Sequence, residues 1–330
     1  MLPALPVGTF IAGGRSLERA IDRVRRAEGF GYESVYVTHI AERDSLAVAE
    51  AYGARTERIH VGTGVVPIYS RTPVAMAQTA ATIDELSGGR MRLGIGVSHK
   101  ITVENWYGQK IEKPVASMRE YVDIVRAILR GEEPPKGERW PTSFSFMGYE
   151  ARGDLPVYIA ALSPGMLRLA GEIADGVILW LCNHEYVRDV VIPEVAKGRE
   201  RTGRGLEGFD VVAAVPTAVT DDPETARGRL RGDLIPYFSL PFYRAMLERS
   251  GYEEDLAGFD AGMQKGDTEA AVGAISDRFL QALTAIGTKE DAIASIQRYK
   301  DAGATSPCLG GVAGTDFDGT LEALSPLAGT

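Results

Sequence analysis

Histidine stands at positions 39, 60, 99 and 184 of this 330-residue chain. Imidazole exchanges protons near neutral pH, so its placement is the first guide to chemistry. His39 follows the apolar run ESVYVT (33–38) and opens a polar stretch, HIAERDS. A proton-exchanging group where a buried strand stops is placed to meet a ligand; a loop anchor is the plainer reading. His99 heads a second group with Glu104, Trp106 and Tyr107 close behind it. These four could line a substrate pocket or anchor a solvated loop. Trp180, near the end of GVILWL (176–181), is open to the same two readings. His60 begins an apolar run and reads as structural. His184 opens a helix and reads as a cap or surface group.

Two further stretches suit a ligand with a phosphate and a flat ring. In ALSPGM (161–166) an apolar run ends and a helix begins. Free N–H groups at such a start attract phosphate; Ser163 can add a hydroxyl, and Gly165 permits close approach. An ordinary capped helix, with Ser163 as cap and Pro164 in the first turn, explains the same residues. LGIGVSH (93–99) carries Gly94 and Gly96 but lacks the third glycine and the immediate helix of a dinucleotide fingerprint. At a strand end, such glycines could let backbone approach a ring. Arg71 could meet the tail of a cofactor or brace a helix start.

These residues are positioned by a regular alternation. Apolar runs at 6–13, 33–38, 58–68, 90–97, 155–162, 176–181, 209–220 and 305–312 read as strands. Amphipathic stretches at 16–31, 44–56, 115–131, about 185–202 and 288–303 read as helices, as do the stretches that open at Thr72 and Ser163. Ser16 is a candidate cap, Pro73 suits a first helical turn, and Gly88-Gly89 marks a helix end. Runs without polar alternation fit parallel strands covered on both faces. Eight βα repeats predict an α/β (β/α)8 TIM barrel, organised as one domain over 1–330. Residues 98–114 and 132–154 read as inserted loops, and 221–286 as a mostly helical insertion. In such a barrel, the carboxyl ends of the strands face the active site. That puts His39 at the mouth and His60 at the opposite end.

Composition narrows the class. The formal charge of −9 argues against a nucleic-acid binder. Cys182 and Cys308 match no metal or CxxC spacing and read as free buried thiols, so no metal site is expected. The stretch MLPALPVGTFIAGG has no charged segment ahead of an apolar one, and no run reaches the roughly 20 apolar residues of a membrane span. A soluble, cytoplasmic protein is expected.

The segment GTGVVPIYSRTPVAMAQTAATIDELSGGRMRLGIGV (62–97) resembles the bacterial luciferase-like superfamily, and within it the oxidoreductases that use the deazaflavin coenzyme F420. The resemblance extends to YIAALSPGMLRLAGEIADGVIL (158–179) and AIGTKEDAIASIQRYKDAGA (285–304). It implies a bulge with a non-prolyl cis peptide at Gly64 and Val65, backing the cofactor ring. It also implies cofactor contacts from Thr63, Gly64, Val65, Gly96, Val97, Ala161, Ser163, Gly165, Met166, Gly176, Val177 and Ile178. His39 matches the histidine that alcohol- and sugar-oxidising members carry as base or hydroxyl partner, so it is the expected catalytic residue. His99, Trp106, Tyr107 and Trp180 are the expected substrate contacts. Thr38 stands where those members have aspartate, and IAGG where sugar dehydrogenases have an acid.

Three functions follow in order. The first is an F420-dependent oxidoreductase that moves a hydride to or from a small organic substrate. The second is an FMN-dependent luciferase-like monooxygenase using dioxygen. The third is a cofactor-free barrel or binding protein. A homodimer is a further expectation from the family.

Overall fold

The computed structural model describes residues 7–326. Pro6 of the first expected strand, and residues 1–5 before it, lie outside the described residues. Ten strands run in chain order: β1 Gly8–Phe10, β2 Ser34–Val37, β3 His60–Thr63, β4 Val66–Pro67, β5 Met91–Gly96, β6 Val157–Ala160, β7 Gly176–Trp180, β8 Asp210–Val219, β9 Ala285–Gly287 and β10 Ser306–Gly311. All pairings are parallel. The order β1-β2-β3-β5-β6-β7-β8 closes through β10, which pairs Cys308 with Gly8 of β1 and Ser306 with Val212 of β8. The result is a closed eight-stranded barrel with helices outside it, the (β/α)8 class expected from the alternation.

Side chains along each strand alternate between two cores. Val35, Val61, Leu93, Ile159, Val177 and Leu179 face outward into the layer beneath the helices. Phe10, Tyr36, Tyr158, Ile178, Val212, Ala214 and Cys308 fill the barrel interior. Large and small residues share levels there. Tyr36 pairs with Gly62, and a Cβ at 62 would lie 2.8 Å from the Tyr36 ring. Tyr158 pairs with Gly176 in the same way, at 3.0 Å.

The amino end of the barrel is closed by a polar network. Asp210 accepts from Tyr158 (3.1 Å) and Ser306 (2.7 Å), and Arg92 lies 3.6 Å from it. Burial opposes the charge on Arg92, yet Tyr36, Tyr158 and Asp210 outweigh that and hold it protonated. The end that remains for a ligand is the carboxyl one.

Local signals behave as the sequence indicates. Ser16 and Thr72 cap their helices, Pro73 is in the first turn, and Gly88 and Gly89 take φ of 68° and 80°. Three segments carry detail beyond the strand and helix pattern, the first of them the bulge that the resemblance implies. The run 58–68 is split by a bulge between β3 and β4. The stretch 98–114 contains a π-helical turn, Thr102–Trp106. The insertion folds into five helices, Pro223–Phe238, Pro241–Arg249, Glu253–Gln264, Thr268–Gly273 and Asp277–Leu283. Residues 285 and 286, assigned to it above, belong to β9, which extends the pairing of β8 at Thr217. Three residues are too few to show a period. Among the described residues, no helix is long and apolar enough to cross a membrane.

Candidate active site

The floor of the mouth is built where β3 breaks. Gly62 pairs with Arg92, and pairing resumes only at Val66 with Ile95. Residues 63–65 therefore oppose 93–94, a bulge of one residue. The Gly64–Val65 peptide is cis, as the resemblance implies. Thr63 repairs the broken ladder: its hydroxyl donates to the Gly94 carbonyl (2.7 Å) and accepts from the Gly94 N–H (3.1 Å). A Cβ at Gly94 would lie 1.9 Å from the Thr63 carbonyl oxygen, and one at Gly96 would lie 2.7 Å from Val65 and 3.2 Å from Ala160. The room left by these two glycines is thus filled by the adjacent bulge, not held open for a ring. Val65 and Trp180 pack on the interior cluster, and Trp180 lies 5.8 Å from the Phe10 ring. Together these residues make an apolar floor.

His39 stands beside this floor at the carboxyl end of β2, half-buried. Its Nδ1 accepts the backbone N–H of Ser45 (3.3 Å) and lies 3.0 Å from the Ser45 hydroxyl. Ser45 opens the helix Ser45–Gly53, which Asp44 caps through bonds to the N–H groups of Leu46 and Ala47. The other oxygen of Asp44 takes the guanidinium of Arg71. Burial lowers the pKa of His39; Asp44 opposes this, and Arg71 adds to it. Burial works against the Asp44 charge, but the Ala47 N–H and Arg71 win and hold its carboxyl low. Arg71, open above to a cofactor tail or a bracing role, makes bracing contacts. It ties Asp44, and its own carbonyl accepts the Tyr121 hydroxyl.

A wall of rings faces the floor, and much of it comes from the insertion. His99 lies 6.0 Å from the Tyr243 ring and 6.5 Å from that of Tyr237. The indole N–H of Trp180 donates to the Tyr237 hydroxyl (3.2 Å). Burial keeps the His99 imidazole below its ordinary pKa. Beside Trp180 a cavity of about 170 Å³ is lined by Pro216, Leu234, Tyr237, Gly310 and Val312, with Asp233 also reaching it. Its lining places it at the carboxyl ends of β7, β8 and β10. Ser98 and Leu181, just past β5 and β7, hold left-handed φ of 59° and 49°. Such backbone in non-glycine residues gathers at functional sites.

At the end of β6, Ser163 caps the helix Pro164–Ile173 by accepting from the Met166 N–H (3.4 Å). A Cβ added to Gly165 would meet nothing closer than Val115, at 3.8 Å, so the approach to this helix start is open.

The remaining expected residues divide. Val97 packs against the outer core, and Ala161 and Met166 are buried in it. Gly176 begins β7 against the Tyr158 ring, away from the mouth, and the Val177 side chain faces outward; neither is brought to the site. Ile178 points into the barrel. Tyr107 lies within reach of the Asp44 charge, which adds to burial in raising its phenol pKa. Trp106 is 52% exposed. His60 bonds the Glu33 carbonyl and His184 that of Ala282, both structural. Both thiols are free and buried. Sequence reasoning missed Asp44, Ser45, Tyr237 and Tyr243; only the helix-cap pattern of Asp44-Ser45 could have flagged any of them.

The chain can now be set beside known proteins. The model of the luciferase-like monooxygenase family matches residues 5–306. A 5,10-methylenetetrahydromethanopterin reductase of Archaeoglobus fulgidus is 30% identical over 306 residues, covering 91% of each chain. The coenzyme F420-dependent tetrahydromethanopterin reductase of Methanopyrus kandleri superimposes with a TM-score of 0.84 at 23% identity, covering 97% of both. An F420-dependent secondary alcohol dehydrogenase, in complex with an F420-acetone adduct, gives 0.78 at 20% identity, covering 98% of both. The two solved structures speak for the fold, and the family match spans most of the chain. This chain belongs to the luciferase-like monooxygenase family.

Proposed function

We propose that this protein is an F420-dependent oxidoreductase that exchanges a hydride with a small organic substrate. The observation that carries the reading is the grouping at one barrel mouth of an apolar, bulged floor, an open helix start and a half-buried imidazole. The residues fit a deazaflavin. Val65 and the bulge around Gly64 would back its ring, with Ile178 beneath and Gly96 making room for Val65. Ser163, Gly165 and the N–H groups of their helix would hold its phosphate. The deazaflavin supplies the hydride chemistry when bound. The chain's own part is to bind, orient and exclude water. Phe10, Val65 and Trp180 keep the floor dry, His39 offers a hydrogen bond at the edge of the ring, and His99, Trp180, Tyr237 and Tyr243 shape the substrate side.

The test is a titration of the purified protein with F420 and, separately, with FMN, followed by a substrate screen with the cofactor that binds. Saturable F420 binding, tighter than FMN, supports the proposal. Preference for FMN turns the reading to the monooxygenase branch, and binding of neither leaves a cofactor-free barrel.

A further inference from the structure

We propose that the cavity beside Trp180 seats a protonated amine: the substrate of the hydride transfer carries, at the end of an apolar arm, an ammonium group that meets the Asp233 carboxylate. The inference rests on the oxidoreductase reading above and deepens it by naming the substrate class.

Leu230, Asp233, Leu234 and Tyr237 follow helical spacing on the helix Pro223–Phe238, so one face presents all four. That face closes the cavity whose other side is Trp180, Pro216 and Gly310. The two leucines are buried. Asp233 stands between them as the one charged side chain among the lining residues. Aspartate is a poor residue for a helix interior, and Asp222, not Asp233, caps this helix. The Asp233 carboxylate has no hydrogen-bond or ion-pair partner among the described residues. Arg229, one turn earlier, is tied to the Gly314 carbonyl instead. A carboxylate on an otherwise apolar face, with no partner in the protein, is placed to meet a cation.

The rings beside it favour the same charge. Aromatic faces attract ammonium groups, and Trp180 and Tyr237 line the cavity with Asp233. Burial raises the Tyr237 phenol pKa, Trp180 opposes this, and the Asp233 charge adds to it, so the carboxylate acts at that ring. An anionic arm would meet this carboxylate with no lysine, arginine or histidine in the lining to balance it. A hydrocarbon arm would gain nothing from it. Size sets the arm. An apolar cavity of roughly 150 Å³ holds benzene, so the space here, about 170 Å³, admits a six-membered ring or a chain of similar length. Asp233 is exposed at the edge, so the ammonium keeps part of its water while the arm is buried. Trp180 also lies 5.8 Å from the Phe10 ring, so the other end of the arm emerges beside the apolar floor.

The test needs no cofactor, so it is decided separately from F420 binding. Protein isotope-labelled in the indole nitrogens of its three tryptophans reports Trp180 by NMR. The resonance is assigned with Trp180→Phe or, if that variant does not fold, by elimination with Trp106→Phe and Trp140→Phe. The native protein is titrated at pH 7 with cyclohexylmethylamine, cyclohexylmethanol and cyclohexanecarboxylate, which share a ring and differ in charge. The amine should move Trp180 saturably and bind at least about fivefold tighter than the alcohol, with the carboxylate weakest. Asp233 is exposed and unpartnered, so its variants should fold. Asp233→Glu should keep the preference for the amine, and Asp233→Asn should bring amine and alcohol within about twofold of each other. An alcohol that binds as tightly as the amine, a preference that survives in Asp233→Asn, or a Trp180 resonance unmoved by about 20 mM amine overturns the proposal.

Discussion

The Ser45 N–H and the Nδ1 of His39, 3.3 Å apart, hold each other in place: the imidazole completes a helix start, and the helix start fixes the imidazole. Arg71 guards this arrangement by occupying Asp44. Arg71→Ala leaves the Asp44 carboxylate unbalanced beside the ring. The His39 pKa should then rise, by about one unit. Titration of the His39 resonances checks this; an unchanged pKa would show that Arg71 does not act on the ring.

Thr63 stitches the bulge to β5 with two hydrogen bonds to Gly94. Thr63→Val keeps the shape and strands a buried N–H and carbonyl, at a cost of about 2–3 kcal/mol. Thr63→Ser should recover most of that. Chemical denaturation of the three proteins measures it. Equal midpoints for valine and threonine would mean the stitch contributes nothing.

Stability should fall on mild acidification. Burial lowers the pKa of His39, His60 and His99 below the ordinary 6.5. The unfolded chain therefore binds more protons than the folded one below about pH 6.5, and folding loses free energy as pH drops through that point. A Tm lower by roughly 2–4 °C at pH 5.5 than at pH 7 is expected, with a smaller drop in His60→Gln. A Tm that rises on acidification contradicts the sign.

The ring wall should govern substrate and leave the cofactor alone. Tyr237→Ala removes the acceptor of the Trp180 indole N–H and one face of the wall. With the substrate found by screening, KM should rise about tenfold while the cofactor Kd stays unchanged. A matched loss of cofactor affinity would place Tyr237 on the other side of the ring.

The legible part of the molecule was what repeats. Continuous apolar runs such as 176–181 read as parallel strands because both faces of that sheet are covered, and eight of them closed the barrel. His39 at the mouth followed from topology alone. The bulge at 63–65 was visible only through the family pattern, since the run 58–68 reads as one strand without it. Partners set by tertiary packing were hidden. Nothing in the helical pattern of 223–249 tells that Tyr237 and Tyr243 reach His99. Likewise, Asp44 and Arg71 meet only because two separate loops converge. Val177 shows the reverse failure. It sits in a motif associated with the cofactor, yet strand alternation turns it outward.

The most direct measurement is fluorescence titration of F420 into the native protein and into Gly165→Asp and Gly165→Ala. The open space at Gly165 accommodates alanine, whereas aspartate puts a negative charge at the helix start. Saturable one-to-one binding is expected for the native chain and for alanine, with at least about tenfold weaker binding for aspartate. Native protein that does not bind F420, or an aspartate variant that binds it equally well, would contradict a deazaflavin seated at this mouth.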